Sequence, residues 1–491
     1  MNYQIAKNYD LFINNAWHRS SSTLTLESVS PLTGEVLCTV PDANELDVAQ
    51  AVMAAKAAWP SWHLLGARKR AEAINKLADR LLAESERFAW FETSDTGKPW
   101  RESLANVRTA ADRLRYFASA GRTLEGRMFS PGADILSYDL REPLGVVGII
   151  GAWNFPLNMF VGKIAPAIAV GNAVVYKPAE PTPISTLEFV KLAAEYLPPG
   201  ILNVVTGNGA SAGLAIVSHP DVRKISVTGS SATGRAVMAA AASSTKQLTL
   251  ELGGKNAQIV FPDADLDRAA QGIVLGAFMN QGQVCTSGSR VFVHHSVSEE
   301  IRRRVLELLP RLKIGDPFDQ ATTVGTMAFE EHLNSVLRYI AVGRSEGARL
   351  LAGGERFKIN AFPKGLFMSP TVFVDAEPDM AIAREEIFGP VATFFTWTHE
   401  DEMLAAVNLL DYGLAAGIWT ENLGCAHRTA QSIEAGRIWI NCYNLFPSGA
   451  AFGGTKSSGF GREDAFETMY AFTQVKNVIA DISATSRKFY Q

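Results

Sequence analysis

The sequence predicts an α/β protein made of two doubly wound domains and a small extended arm. Three observations carry this. A chain of 491 residues exceeds what one hydrophobic core organises, so two or three units with ample buried surface are expected. From Gly145, short apolar runs at 146–150, 173–176, 202–205 and 224–227 alternate with helix-like segments such as 185–196. A second series of apolar runs follows at 258–261, 290–293, 391–397 and 437–441. Strands that are apolar throughout are those covered on both faces, as in a parallel sheet between layers of helix.

In chain order, Asn44-Glu45-Leu46-Asp47 reads as a helix start, and Ile74, Leu77, Ala78 and Leu81 recur at helical spacing within 68–87. The first 120 residues are therefore expected to be rich in helix and, with 145–252, to form a Rossmann-like dinucleotide-binding domain. Residues 253–457 form the second, catalytic domain. The segments 121–144 and 472–491 fit neither alternation; they are surface loops or paired extended arms that join subunits. No internal repeat, low-complexity tract or Pro/Ser linker separates the domains, so their interface is the natural cleft.

Charge and cysteine usage exclude several classes. With 46 basic against 50 acidic residues, net −4, nothing announces nucleic acid or a membrane surface, and a small-molecule partner is expected. Four scattered cysteines show neither a disulfide framework nor metal-ligand spacing. The eight histidines form no His-x-x-x-His pattern, and adjacent His294 and His295 are expected to face opposite ways on a strand; no metal is expected. The first ten residues lack the pattern of a signal or transit peptide, and the run Leu144 to Trp153 is far shorter than the roughly 20 residues a membrane span needs. A cytoplasmic location is the expectation.

Several motifs carry chemistry. Cys285 closes Asn280-Gln281-Gly282-Gln283-Val284-Cys285, after the apolar, helix-like 273–279. A lone cysteine is more often an inert buried residue than a nucleophile, whereas at a helix N-terminus the macrodipole favours the reactive thiolate. Glu251, in Glu251-Leu252-Gly253-Gly254-Lys255-Asn256, stands at a strand mouth, as a solvated end or as a general base for water. Asn154, in Ala152-Trp153-Asn154-Phe155-Pro156, is either a turn residue before a helix starting at Pro156 or an oxyanion donor facing the cleft. Lys177 and Glu180 sit in a proline-punctuated loop after a strand, where open α/β sheets bind nucleotides. Thr228-Gly229-Ser230 turns from a strand into a helix start suited to a pyrophosphate, without the G-x-G-x-x-G fingerprint. Glu386 and Phe388, in Glu385-Glu386-Ile387-Phe388-Gly389-Pro390, place a carboxylate and an aromatic ring on a turn, which a solvated loop does equally well.

Taken together, in this order and spacing, these motifs resemble the aldehyde dehydrogenase superfamily over essentially the whole chain. The resemblance implies that Cys285 is the nucleophile, Glu251 the general base and Asn154 the oxyanion donor, supported by Lys163 and Glu463. It implies that Lys177 and Glu180 hold the adenine ribose, Ser230 a phosphate with Gly229 beside it, Glu386 the nicotinamide ribose and Phe388 the ring, with Trp153 on the same side. A carboxylate at the 2′-hydroxyl repels a 2′-phosphate, so NAD is expected over NADP. The expected reaction is oxidation of an aldehyde to the acid through a thioester on Cys285 that water hydrolyses, in a homodimer or homotetramer. A catalytically idle binding protein on the same fold is the alternative.

The resemblance further places Phe155, Met159, Phe160, Gly162, Met279, Phe446 and Phe452, flanked by Tyr443 and Asn444, around an apolar substrate funnel; ordinary core packing reads the same way. The general look is that of the betaine aldehyde and aminoaldehyde branch. Two departures point elsewhere: Gly162 stands where a tryptophan is common, which is expected to widen the tunnel, and Phe446 is a weaker cation-π partner than tryptophan. An apolar, aromatic or amino aldehyde is expected, with betaine aldehyde as the alternative.

Overall fold

The run Val146–Ile150 is buried at every position, which an apolar pentapeptide achieves when both faces of its sheet are covered. In the computed structural model, which describes residues 3–485, it lies within an eight-stranded sheet. Five strands of that sheet run parallel, in the spatial order Leu202–Val204, Ala173–Lys177, Val146–Ile150, Val222–Thr228, Gln247–Glu251. The chain order reverses between Val146–Ile150 and Val222–Thr228, the kind of switch point at which open sheets leave a crevice at their carboxyl ends. A second, seven-stranded sheet contains Val391–Trp397, Arg290–His294, Ala257–Val260, Ala415–Trp419 and Arg437–Ile440, all parallel to their neighbours. The two doubly wound α/β domains expected from the sequence are thus present.

Helices formed where spacing and caps pointed to them. Asn44 caps Glu45–Leu64 in a reciprocal capping box with Asp47, and Ile74, Leu77, Ala78 and Leu81 form the buried stripe of Ala67–Ala83. Four N-terminal strands, Leu11–Ile13, Ala16–His18, Thr25–Val29 and Val36–Pro41, were not legible in the sequence. They are short, and most are only partly buried. Leu11–Ile13 nonetheless extends the first sheet by pairing antiparallel with Leu202–Val204.

The segments outside the alternation are extended. Met128–Gly132, Ile135–Pro143 and Thr473–Asp481 form a three-stranded antiparallel sheet, with Thr473–Asp481 in unbroken register against Ile135–Pro143. Residues 486–491 of the expected arm lie outside the described residues. One expectation fails nearby in kind: His294 ends its strand and His295 begins a tight turn, so their rings lie 4.3 Å apart rather than on opposite faces.

Candidate active site

Cys285 is positioned by a backbone reversal. After the helix Leu266–Phe278, Asn280, Gln281 and Gly282 are all left-handed, with φ of 48°, 56° and 69°. Two non-glycine residues there are strained; Glu102 helps to hold them by accepting from the Asn280 N–H at 3.0 Å. Gly282 also lies so close to the Gly389 carbonyl that a Cβ would overlap it. Asn256 Nδ2 fastens the far side, donating to the Cys285 carbonyl at 2.8 Å and to that of Ser287 at 3.0 Å. Cys285 thus follows a helix C-terminus, and the expected help from a helix N-terminus is absent. Burial, then the Glu386 and Glu251 carboxylates, push its thiol well up.

The thiol opens on a cavity of about 250 Å³ that also contains Glu251. The buried Glu251 carboxylate, at the end of Gln247–Glu251, has no protein hydrogen-bond partner on either oxygen. Burial and the neighbouring Glu463 raise it well above the ordinary range, against the pull of Lys163 and Arg462. Lys163 is ion-paired with Glu463 and donates to Ser226 Oγ at 3.1 Å. Asn154, buried beside the loop, donates through Nδ2 to the Gln283 carbonyl at 2.9 Å, while Asn280 Nδ2 donates to the Asn154 carbonyl at 3.1 Å.

Of the residues expected around the funnel, Phe155, Met159, Met279, Phe446 and Phe452 line the cavity. Phe160 and Gly162 do not. Phe160 is fully buried and packs edge-on against Tyr176 at 4.4 Å and Phe189 at 5.3 Å, because it points from Pro156–Ala169 toward the sheet. The room left by Gly162 is taken by Arg113, whose Nη1 lies 3.0 Å from where a Cβ would stand, so the glycine does not widen the tunnel. The Phe446 and Phe452 rings already have the Arg437 guanidinium at 5.1 and 5.4 Å. Unforeseen members of the wall are polar: Asn106, Thr109, Arg113, Asn158, Thr286 and Asp464. Only the adjacency of Asp464 to Glu463 and of Thr286 to Cys285 offered a signal in the sequence; the others are ordinary polar positions on helices and turns.

A second set lies along the carboxyl edge of the first sheet. Lys177 ends its strand and donates to Glu180 Oε1 at 2.9 Å and to the Gly207 carbonyl at 2.6 Å; the Glu180 side chain stays 40% exposed. Ser230 is exposed and caps Ser231–Ala242, accepting from the Thr233 N–H at 3.1 Å, with Gly229 just before it. Glu386 Oε1 accepts from the Gly254 N–H at 2.9 Å. Position 253 must be glycine for this approach, since a Cβ would overlap the Glu386 carboxylate. Burial raises Glu386 to about 7. Burial and Arg290 lower Lys255 to about 7, and its buried Nζ has no protein partner. Trp153 packs edge-on against Phe388 at 5.2 Å.

Residues 17–478 match the aldehyde dehydrogenase family. The chain belongs to this family. Solved structures of aldehyde dehydrogenases superpose closely on it. An NAD+ complex of the aldehyde dehydrogenase of Bacillus cereus is 40% identical, with 97% of each chain covered and a TM-score of 0.94. An NAD-dependent aldehyde dehydrogenase from Sinorhizobium meliloti is 39% identical over 98% of this chain and 96% of that one, TM-score 0.95. An E. coli NADP-dependent enzyme is 32% identical over 96% and 98%, TM-score 0.94. Among the described residues, no helix is long and apolar enough to cross a membrane, and no group of three or more His, Cys, Asp or Glu could hold a metal.

Proposed function

We propose that this aldehyde dehydrogenase oxidises an aldehyde to the carboxylic acid with NAD, using Cys285 as nucleophile and Glu251 as general base. The observation that carries the reading is that the Cys285 thiol and the unpartnered Glu251 carboxylate face one cavity. The residues of the sheet edge fit a dinucleotide: the exposed Ser230 cap offers a helix N-terminus to a phosphate, Glu180 has an open face for ribose hydroxyls, and Glu386 holds a second carboxylate beside the nucleophile loop. When bound there, NAD supplies the hydride acceptor. The Glu180 carboxylate favours NAD over a 2′-phosphorylated cofactor.

The Cys285 thiol first loses its proton to solvent; its sulfur then forms a bond to the aldehyde carbon, and the oxyanion takes hydrogen bonds from the Cys285 backbone N–H and the second N–H of the Asn154 amide. Once the carbon has lost hydride, a thioester remains. Glu251 removes a proton from water as the water attacks that carbon, the C–S bond breaks, and the sulfur leaves as thiolate with release of the acid. Burial makes the ionised Glu251 a stronger base than a carboxylate in water. Lys163 and Glu463, packed against Glu251, set its charge environment. The cavity favours a substrate with an apolar or aromatic body. A trimethylammonium group is disfavoured because Arg437 already lies near the Phe446 and Phe452 rings. The three-stranded arm sheet is the surface that joins subunits into a dimer or tetramer.

NADH formation from a panel of aldehydes, without coenzyme A, tests the mechanism. Cys285→Ala is expected to give none. Glu251→Gln is expected to give one rapid equivalent of NADH per site, followed by turnover slowed at least about a hundredfold. Full turnover by Cys285→Ala would overturn the assignment.

A further inference from the structure

One guanidinium ties together two of the polar groups in the cavity wall. The helix Trp100–Ala120 presents Asn106, Thr109 and Arg113, spaced three and four apart on one face, to the cavity. Arg113 Nη1 donates to the Asn158 carbonyl and to Asn158 Oδ1, both at 3.0 Å, and Nη2 donates to Asp464 Oδ2 at 2.6 Å. The pair is largely buried, with side-chain exposures of 11% and 6%. Gly162 makes the space in which the fork sits.

A buried ion pair is seldom a gain in stability over apolar packing of the same volume, and a few placed polar groups in an otherwise apolar pocket serve to orient a ligand. These three bonds use three of the five guanidinium donors. The other two suit a carboxylate, whose planar pair of oxygens matches the fork. Resting on the aldehyde-oxidation reading above, we infer that Arg113 is a specificity-determining residue that receives a carboxylate at the far end of the substrate, so that the preferred substrates are aldehydes bearing a distal acid group. A distal ammonium would face the free donors of the guanidinium, the nearby Asp464 Oδ2 being already committed to Nη2.

Three aldehydes of equal chain length test this: adipate semialdehyde, hexanal and aminohexanal. The wild-type enzyme is expected to favour adipate semialdehyde over hexanal in kcat/KM by about ten- to a hundredfold, the worth of a hydrogen bond to a charged group, with aminohexanal last. Arg113→Met should erase that preference while hexanal is still oxidised, and Arg113→Lys should restore part of it. Should Arg113→Met fail to fold, Gly162→Val, which crowds the fork without removing it, should lower the same ratio. A wild-type preference for hexanal or aminohexanal, or an equal loss with all three aldehydes in Arg113→Met, overturns the inference. Absence of NADH with every aldehyde would instead strike the underlying reading of the site.

Discussion

The Cys285 thiol is held against ionisation by burial and by the charges of Glu386 and Glu251, and no helix N-terminus opposes them. The sequence displayed the nucleophile and its base, because a cysteine among small polar residues and a glutamate before two glycines stand out. It did not display their electrostatics, which arise from burial and from carboxylates far away in sequence, Glu386 acting on Cys285 and Glu463 on Glu251. A raised thiol is protonated at neutral pH, so thiolate, and hence reactivity, grows with pH until the raised value is reached. Alkylation of the free enzyme by iodoacetamide should therefore accelerate roughly tenfold per pH unit between about pH 7 and 9, with no plateau. Glu386→Gln removes one of the opposing charges, which lowers the thiol and should quicken alkylation at every pH in that window. A plateau below pH 7 in the wild-type enzyme would contradict this account.

Elements tell a different story, because a helix shows two faces that periodicity alone does not name. In Pro156–Ala169 nearly every residue is buried. An apolar residue facing the cavity and one facing the sheet therefore look alike in sequence, and nothing local could correct the resemblance that placed Phe160 beside the substrate. Its contacts with Tyr176 and Phe189 give the opposite expectation from a pocket residue. Phe160→Ala should destabilise the fold by about 3–5 kcal/mol, measured by denaturant unfolding, while leaving the ranking of aldehydes by kcat/KM unchanged. A changed ranking at unchanged stability would return Phe160 to the pocket wall. The capped helices and fully apolar strands were legible for the complementary reason, since their signals are local: a side-chain cap such as Asn44, or an unbroken run such as Val146–Ile150.

For the molecule as a whole, the strand-helix alternation revealed both domains because burying a parallel sheet demands it. The four N-terminal strands escaped because short, half-exposed strands carry no such demand. The arm sheet was visible only as a misfit. Its outer strand, Thr473–Asp481, leaves Val475 and Ile479 at 50% and 69% exposed, and Met128 and Phe129 on the strand at the opposite edge are also exposed. A long, apolar, unpaired edge is a site for association. Ile479→Lys should shift the sedimentation of the enzyme toward a smaller species at micromolar concentration, with the far-ultraviolet circular dichroism unchanged. An unaltered assembly would exclude this edge as an interface.

The seat of Gly282 against the Gly389 carbonyl has a kinetic corollary. The loop that carries the nucleophile and the loop that carries Glu386 and Phe388 touch without room between them, so neither can shift alone. A dinucleotide held at Glu386 is therefore expected to steady the nucleophile loop as well, and slower amide hydrogen exchange in that loop on adding NAD would show it.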